Sequence, residues 1–464
     1  MTEGKTHRRL PVLKEKVYPK VAPVFKNGYP QGYRPWVDAW SVQAEDLNET
    51  LEDGTFTLTQ LDISINPDGY VALVNEGFTP GQDLSDEDRA VLHERAETHY
   101  PMTCGVGCAC CFESTGEVKN LLMTTEEVFE MLKEAKELGL KNVKFLGPGE
   151  LMQNPRLFEI LDFLKENNIK IGIFTKGVAL GSDKKAREVF GSQGINTAME
   201  LCQKVALYEN VTILLGMTSA DSKTEQARIN STTCPTLAKI RNRAFENLAS
   251  AGLNGDINTQ RLALLCNPVL KDNIDEVVEI YRYGLERNIP VVVAPTMLSG
   301  KGGKMEEITN PEFKEDLVTL YTDIYSMLIN EQILSLEQVE KEGISPYAGY
   351  ACNQFVGGMF VRKDGQVMAC PGNDKGEYVY DRDVRKKPLK EIWKNSMGYK
   401  LREKLAREGK LTLTQPCYAK TEGLALPCAD GTERTCVSRG CGSIPEGFYD
   451  KVMEQVRAKV AAVG

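Results

Sequence analysis

Hydrophobic and polar positions follow two alternating patterns between about residues 120 and 331. Stretches whose apolar residues recur every three or four positions, typical of amphipathic helices, are separated by short runs of β-branched residues. Segment 124–140 shows the helical pattern, with Thr124 or Thr125 as N-cap and Gly139 near its end. Its apolar residues at helical spacing are Val128, Met131, Leu132 and Leu138.

This alternation predicts an α/β fold built from β/α units around a parallel sheet. The further predicted helices cover residues 154–168, 237–251 and 274–288, and residues 183–209 are predicted as a helical region. The predicted strands cover residues 142–147, 169–177, 211–217, 261–270 and 289–297. With a first strand just before Cys104, the count is six units. Periodicity alone does not choose between an open barrel and a doubly wound sheet, but both place functional residues at the carboxyl ends of the strands.

The pattern changes on both sides of this region. Residues 56–74 predict a short hairpin that turns at Asn66-Pro67-Asp68-Gly69. After residue 348, glycine and cysteine become frequent. We therefore predict an appended amino-terminal region over residues 1–97, a core over 98–335 and a cysteine-rich region over 336–464.

Composition narrows the class of protein. The 464 residues are 42% hydrophobic and 26% charged, as in globular proteins, and the net charge of -9 disfavours a nucleic-acid partner. The amino terminus has no signal-peptide core and no long apolar run follows, so we expect a cytoplasmic protein without a membrane segment. The thirteen cysteines then favour metal ligands and reduced thiols over disulfides.

Four cysteines fall within eight positions of "PMTCGVGCACCFESTGE", residues 101–117. Cys104, Cys108 and Cys111 form C-x3-C-x2-C, and Cys110 is an additional thiol. Structural zinc normally has four ligands, and no nearby histidine or C-x2-C pair completes such a site. Three thiolates suit a 4Fe-4S cluster whose fourth iron stays open for chemistry.

This motif, followed by β/α units, resembles the radical S-adenosylmethionine (radical SAM) superfamily over roughly residues 98–300. The resemblance implies a partial (β/α)6 TIM-like barrel and an enzyme in which Cys104, Cys108 and Cys111 hold the cluster. The open iron would bind S-adenosylmethionine, whose reductive cleavage gives a 5′-deoxyadenosyl radical that abstracts hydrogen from a substrate. An electron donor such as flavodoxin or ferredoxin is also implied. The alternative of another class is a non-catalytic iron-sulfur electron carrier.

The resemblance also implies cofactor-binding residues at the strand ends. Pro148, Gly149 and Glu150 occupy the place of the family's Gly-Gly-Glu stretch, which faces the amino group of the methionine moiety. A tight turn with a solvated glutamate is the alternative. Lys176 replaces the family's asparagine after the third strand and could meet an anionic substrate group or remain solvated.

Two later strand ends complete the implied cofactor site. Ser219 or Asp221 could contact the ribose hydroxyls, and residues 295–297 could pack against adenine. The isolated thiols Cys202, Cys234 and Cys266 are interpreted as small buried hydrophobic residues.

Six cysteines follow the core: Cys352, Cys370, Cys417, Cys428, Cys436 and Cys441. The first two flank a predicted hairpin that turns at Asp364-Gly365, and this stretch resembles the SPASM extension, which binds auxiliary 4Fe-4S clusters. The last four are separated by ten, seven and four residues, which departs from that family's spacing. We expect one auxiliary cluster, with two clusters or a four-cysteine zinc site for the last four as alternatives.

An auxiliary cluster beside a radical core implies oxidative modification or cross-linking of a peptide or protein, because many members with the SPASM extension act on peptides. The alternative is oxidation, epimerisation or dehydration of a sugar, nucleoside or other small metabolite.

Overall fold

The computed structural model describes most of the α/β region and several flanking segments. The described residues are 34–40, 42, 45–64, 85, 123–147, 150–220, 236–256, 258–296, 305, 310–345, 347–348, 354–368, 370–371, 383–411, 426–427, 433–434 and 444–462.

An eight-stranded sheet forms the centre of the described structure, in the order β6-β5-β4-β3-β2-β1-β7-β8. Its strands are β1 Gln60–Ser64, β2 Asn142–Phe145, β3 Lys170–Thr175, β4 Val211–Gly216, β5 Leu262–Cys266, β6 Val291–Val293, β7 Gly358–Arg362 and β8 Val367–Met368. All neighbours pair in parallel except β7 and β8. The predicted α/β fold with a mostly parallel sheet is confirmed. Strands β1 to β6 lie side by side in chain order, without the reversal that defines a doubly wound sheet.

Helices connect and flank these strands. They are α1 Arg34–Trp40, α2 Thr125–Glu137, α3 Leu157–Glu166, α4 Val178–Gly181, α5 Asp183–Phe190, α6 Ala198–Ala206, α7 Leu237–Ser250, α8 Ile274–Leu285, α9 Pro311–Asn330, α10 Leu336–Glu342, α11 Gln354–Gly357, α12 Leu389–Asn395, α13 Met397–Arg407 and α14 Phe448–Ala461. A small separate ladder pairs β9 Leu426–Pro427 with β10 Glu433–Arg434.

Local sequence explains where the helices begin. Thr124 caps α2 through a capping box in which Thr124 and Glu127 bond each other's backbone N–H groups. The predicted helical region over 183–209 contains two helices, α5 and α6. Gly194, with φ of +80°, lies in the break, and Thr197 caps α6 with a second capping box.

The first strand of the sheet lies earlier in the chain than predicted. β1 pairs with β2 on one edge and with β7 on the other, both in parallel. No edge is left for an antiparallel partner, so the hairpin predicted over residues 56–74 is wrong for β1. The strand predicted just before Cys104 lies outside the described residues, and the three-part division of the chain stays a prediction.

The hairpin predicted around Asp364-Gly365 is confirmed. Phe360 pairs with Met368 and Val361 with Val367, and Gly365 adopts φ of +80° in the turn. A glycine fits here because positive φ is strained for other residues. Because β7 also pairs with β1, this hairpin extends the central sheet. We refer to β2 to β6 as the sequential half and to β1, β7 and β8 as the composite edge.

The two faces of the sheet differ. One face packs with the helices in a large core that contains Ile171, Ile173 and Ile213. The other, which we name the inner face, carries a smaller cluster of Leu214, Ala263 and Val292, with Trp40, Phe174, Leu265 and Tyr347 packed against it. Trp40 of α1 covers Gly172 and donates a 2.9 Å hydrogen bond from Nε1 to Thr212 Oγ1.

Long-range polar contacts fasten the composite edge. The buried guanidinium of Arg402 donates hydrogen bonds to the backbone carbonyls of Asp46, Leu47 and Thr57 at 2.6, 2.8 and 2.8 Å. Arg385 forms a bidentate pair with Glu127 of α2 at 2.8 and 3.1 Å. Arg402 of α13 therefore holds the segment that leads into β1, and Arg385, which precedes α12, holds α2.

Within the described residues, no helix combines the length and the hydrophobicity that crossing a membrane requires.

Candidate functional site at the strand ends

Only part of the predicted site can be placed. Glu150, Ser219 and Cys370 are described. The other predicted ligands lie outside the described residues; they are Cys104, Cys108, Cys111, Pro148, Gly149, Cys352, Cys417, Cys428, Cys436 and Cys441. Their roles stay predictions.

Glu150 links the ends of two neighbouring strands. It follows β2 and precedes a short 3-10 turn over Leu151–Gln153, and its side chain is buried. Oε2 accepts a hydrogen bond from Thr175 Oγ1, and Oε1 accepts one from the backbone N–H of Lys176 at 2.6 Å. The alternative of a solvated glutamate is therefore wrong, since the carboxylate is buried at the end of β3.

The electrostatics of Glu150 favour a positively charged neighbour. Burial raises the pKa of its carboxyl to about 7, although the bonds from Thr175 and Lys176 favour the charged form. A carboxylate offers about four acceptor positions, so two donors do not saturate it. Its chemistry fits the amino group of S-adenosylmethionine, because an ammonium group would stabilise the ionised carboxylate.

Lys176 extends from the end of β3 over the inner face. Its Nζ lies 5.1 Å from the centroid of the Phe174 ring. A Cβ on Gly216, at the end of β4, would lie 3.1 Å from this Nζ. The ammonium group thus lies across the ends of β3 and β4.

Ser219 follows β4, and its hydroxyl is directed by a glutamate that the sequence analysis missed. Ser219 Oγ donates to Glu276 Oε2 at 2.6 Å, and the backbone N–H of Ala220 donates to the same oxygen at 2.7 Å. Glu276 lies in the first turn of α8 and is 6% exposed. In the sequence it is indistinguishable from an ordinary acidic residue of a first helical turn.

Asparagine and threonine side chains order the last strand ends. Asn267 Nδ2 donates to the carbonyls of Ala294 and Pro295 at 3.2 and 3.1 Å. Thr296 Oγ1 donates to the carbonyl of Val269 at 2.9 Å. The ends of β5 and β6 are therefore tied to each other by side chains.

The described cysteines differ in burial. Cys202 and Cys266 are buried, as predicted, and burial raises the pKa of the Cys202 thiol above its usual range. Cys370 is half-buried. Among the described side chains, no three His, Cys, Asp or Glu residues gather as a metal site.

Two curated proteins are similar in sequence to this chain. GTP 3′,8-cyclase from Clostridium perfringens is 24% identical over 221 residues, which cover 46% of this chain and 58% of the cyclase. The match thus spans less than two thirds of the cyclase. The tungsten-containing aldehyde ferredoxin oxidoreductase cofactor-modifying protein from Pyrococcus furiosus is 22% identical over 303 residues, 62% of this chain and 78% of that protein.

A solved structure, SuiB from Streptococcus suis bound to the precursor peptide SuiA, has 16% sequence identity and a TM-score of 0.46, covering 82% of this chain and 76% of SuiB. The chain matches no protein-family model. The similarities in sequence support the radical SAM superfamily and an enzyme.

Proposed function

We propose that this protein is a radical SAM enzyme with a partial barrel formed by β1 to β6. The observation that carries the proposal is the buried Glu150 carboxylate, held by Thr175 and Lys176 at the carboxyl end of the sheet. The sequential order of the parallel strands and the similarity to the two curated proteins support it.

The chain's own residues have distinct roles in this proposal. Cys104, Cys108 and Cys111 would hold a 4Fe-4S cluster, which when bound supplies the electron for cleavage of S-adenosylmethionine. Glu150 would bind the amino group of the methionine moiety, assisted by Pro148 and Gly149. Ser219 would bind the ribose, and because its proton is directed to Glu276, its oxygen would accept a hydrogen bond from a ribose hydroxyl.

The substrate we propose is a peptide or protein that undergoes oxidation or cross-linking. The SPASM-like cysteines support this class, with one auxiliary 4Fe-4S cluster held by residues from Cys352 to Cys441. The cationic Lys176 on the inner face favours a second candidate, a small anionic metabolite. A flavodoxin or ferredoxin would supply the electron.

The test is 5′-deoxyadenosine formation from S-adenosylmethionine by the anaerobically reconstituted, dithionite-reduced protein. Formation should disappear when Cys104, Cys108 and Cys111 are all replaced by alanine. The Cys202→Ala variant is the matched control, because this buried thiol hydrogen-bonds only a backbone carbonyl, that of Leu180, among its described contacts. No product from a protein with a full first cluster would favour the electron-carrier alternative.

Iron and zinc content test the auxiliary site separately. One auxiliary cluster predicts about eight irons per chain, since each cluster holds four. Zinc with only four irons would identify the last four cysteines as a zinc site.

A further inference from the structure

The inner face carries a positive charge where the sheet ends. Side chains alternate between the faces of a strand, so Lys176 emerges on the same face as Phe174. Phe174 packs there against the small apolar cluster that contains Leu214 and Val292. Lys176 therefore lies at the end of an apolar wall.

The position of its ammonium group is set by two neighbouring strands. Nζ lies 5.1 Å from the Phe174 ring centroid, within the range of a cation-π contact. At Gly216 a Cβ would stand 3.1 Å from Nζ and 3.5 Å from Phe174 Cε2. The absence of a side chain on Gly216 leaves the space in which the lysine extends.

The backbone beneath the lysine is held by the candidate cofactor site. The N–H of Lys176 donates to Glu150, and the N–H of Gly177 donates to Thr175 Oγ1 at 2.9 Å. Gly177 adopts φ of +79°, which a residue with a side chain would adopt only with strain. The backbone of Lys176 is thus fixed relative to Glu150, and the contacts of Nζ with Phe174 and Gly216 place the charge.

We propose that Lys176 forms a subsite for one anionic oxygen group, a carboxylate or a phosphate, at the mouth of the inner face. This inference rests on the proposed function, because it places the subsite beside bound S-adenosylmethionine. An ammonium group is a compact point charge with three donors, and an adjoining apolar wall strengthens its attraction for an anion. Either the carboxylate of S-adenosylmethionine or an anionic group of the substrate could supply the ligand.

Calorimetric titration of the reconstituted full chain with three probes separates these sources: S-adenosylmethionine, acetate and inorganic phosphate. Lys176→Met should weaken binding of at least one probe about tenfold or more, as expected for loss of a charged hydrogen bond. Lys176→Arg should restore most of that affinity. A loss confined to S-adenosylmethionine identifies the carboxylate of the cofactor, and a loss confined to acetate or phosphate identifies a substrate group.

Lys170→Met is the matched control, because Lys170 is exposed at the opposite end of the same strand. Gly216→Ala is a second variant: its methyl group should shift Nζ by a few tenths of an ångström and weaken the same probe less than Lys176→Met does. The inference is overturned if the wild type binds none of the probes or if Lys176→Met binds all three like the wild type. It is also overturned if Lys170→Met loses as much affinity for a probe as Lys176→Met does.

The proposed function is measured separately in the same preparations. If the wild type forms no 5′-deoxyadenosine but the probes still depend on Lys176, the radical function fails and the anion subsite stands. If the wild type forms 5′-deoxyadenosine and Lys176→Met binds every probe like the wild type, the subsite fails and the proposed function stands.

Discussion

The sequential half and the composite edge are parts of one sheet, yet different contacts hold them. In the sequential half each strand lies beside the next strand of the chain, and the polar side chains at its carboxyl ends tie loops together. In the composite edge, Gln60 pairs with Gly358, and Arg402 reaches back to carbonyls near β1. The difference teaches that, among the described residues, the side chains at the ends of consecutive strands contact each other across neighbouring loops, whereas side chains distant in sequence complete the composite edge.

The largest expected effect is at the composite edge. Arg402→Met should lower the free energy of unfolding by about 3 to 5 kcal/mol, because the carbonyls of Asp46, Leu47 and Thr57 lose their short hydrogen bonds from a charged donor. Denaturant unfolding measures the change. Arg407→Met, an exposed site on the same helix, should change it by less than about 0.5 kcal/mol. Equal decreases in the free energy of unfolding for Arg402→Met and Arg407→Met would show that the buried hydrogen bonds of Arg402 do not stabilise the fold specifically.

The free energy of unfolding should depend on pH through the contact between β1 and β2, where the composite edge meets the sequential half. Asp62 of β1 pairs with Lys144 of β2 at 2.9 Å, and burial raises the pKa of Asp62 from 3.8 to about 6. The folded state binds the proton of the Asp62 carboxyl more tightly than the unfolded state does. Proton binding at Asp62 therefore stabilises the fold fully below about pH 4, and this stabilisation is lost as pH rises through 6. This contribution is about 3 kcal/mol.

Asp62→Asn, which cannot titrate, should flatten the dependence of unfolding free energy on pH between 4 and 7. An unchanged slope in that variant would show that other groups cause the dependence.

At the end of the sequential half, the expected effect is on binding. Glu150→Gln should weaken the affinity for S-adenosylmethionine about tenfold or more, since the amide cannot balance an ammonium charge. Equilibrium dialysis of the reconstituted protein measures this. Glu159→Gln, exposed on α3, should bind like the wild type.

The affinity of the wild type for S-adenosylmethionine should also fall as pH is lowered from 7 to 5.5, because Glu150, with a pKa of about 7, becomes protonated. The Glu150→Gln variant should lack this fall, and a parallel decline in both proteins would exclude Glu150 as its source.

The smallest expected effect is on the inner face. Trp40→Phe removes the hydrogen bond to Thr212 and should destabilise the fold by about 1 kcal/mol. Thr212→Val should have a similar effect, and the double variant should be little worse than either single variant in thermal unfolding. Additive losses would show that the two side chains act independently.

Local patterns predicted the sequential half well. Helix α2 begins at Thr125 after the capping residue Thr124, and β2 to β6 fall within their predicted segments. These features depend on neighbouring residues, so periodicity and caps suffice. The turn at Gly365 was predictable for the same reason.

Distant pairings could not be predicted in this way. The alternating pattern around β1 indicates a strand but not its partner, and both neighbours of β1 come from later in the chain. Glu150 was predicted through a family resemblance, while Thr175 as its donor depends on the order of the strands. Glu276 was missed because its contact with Ser219 joins residues 57 positions apart.

The position of Arg402 has a consequence for synthesis on the ribosome. Its bond to the carbonyl of Thr57 joins residues 345 positions apart. The units of the sequential half can associate as they leave the exit tunnel, but the segment before β1 must wait until nearly the whole chain is translated. Until then, the segment before β1 lacks its contacts with Arg402. Nascent chains truncated before residue 402 should therefore be cleaved by protease within this segment.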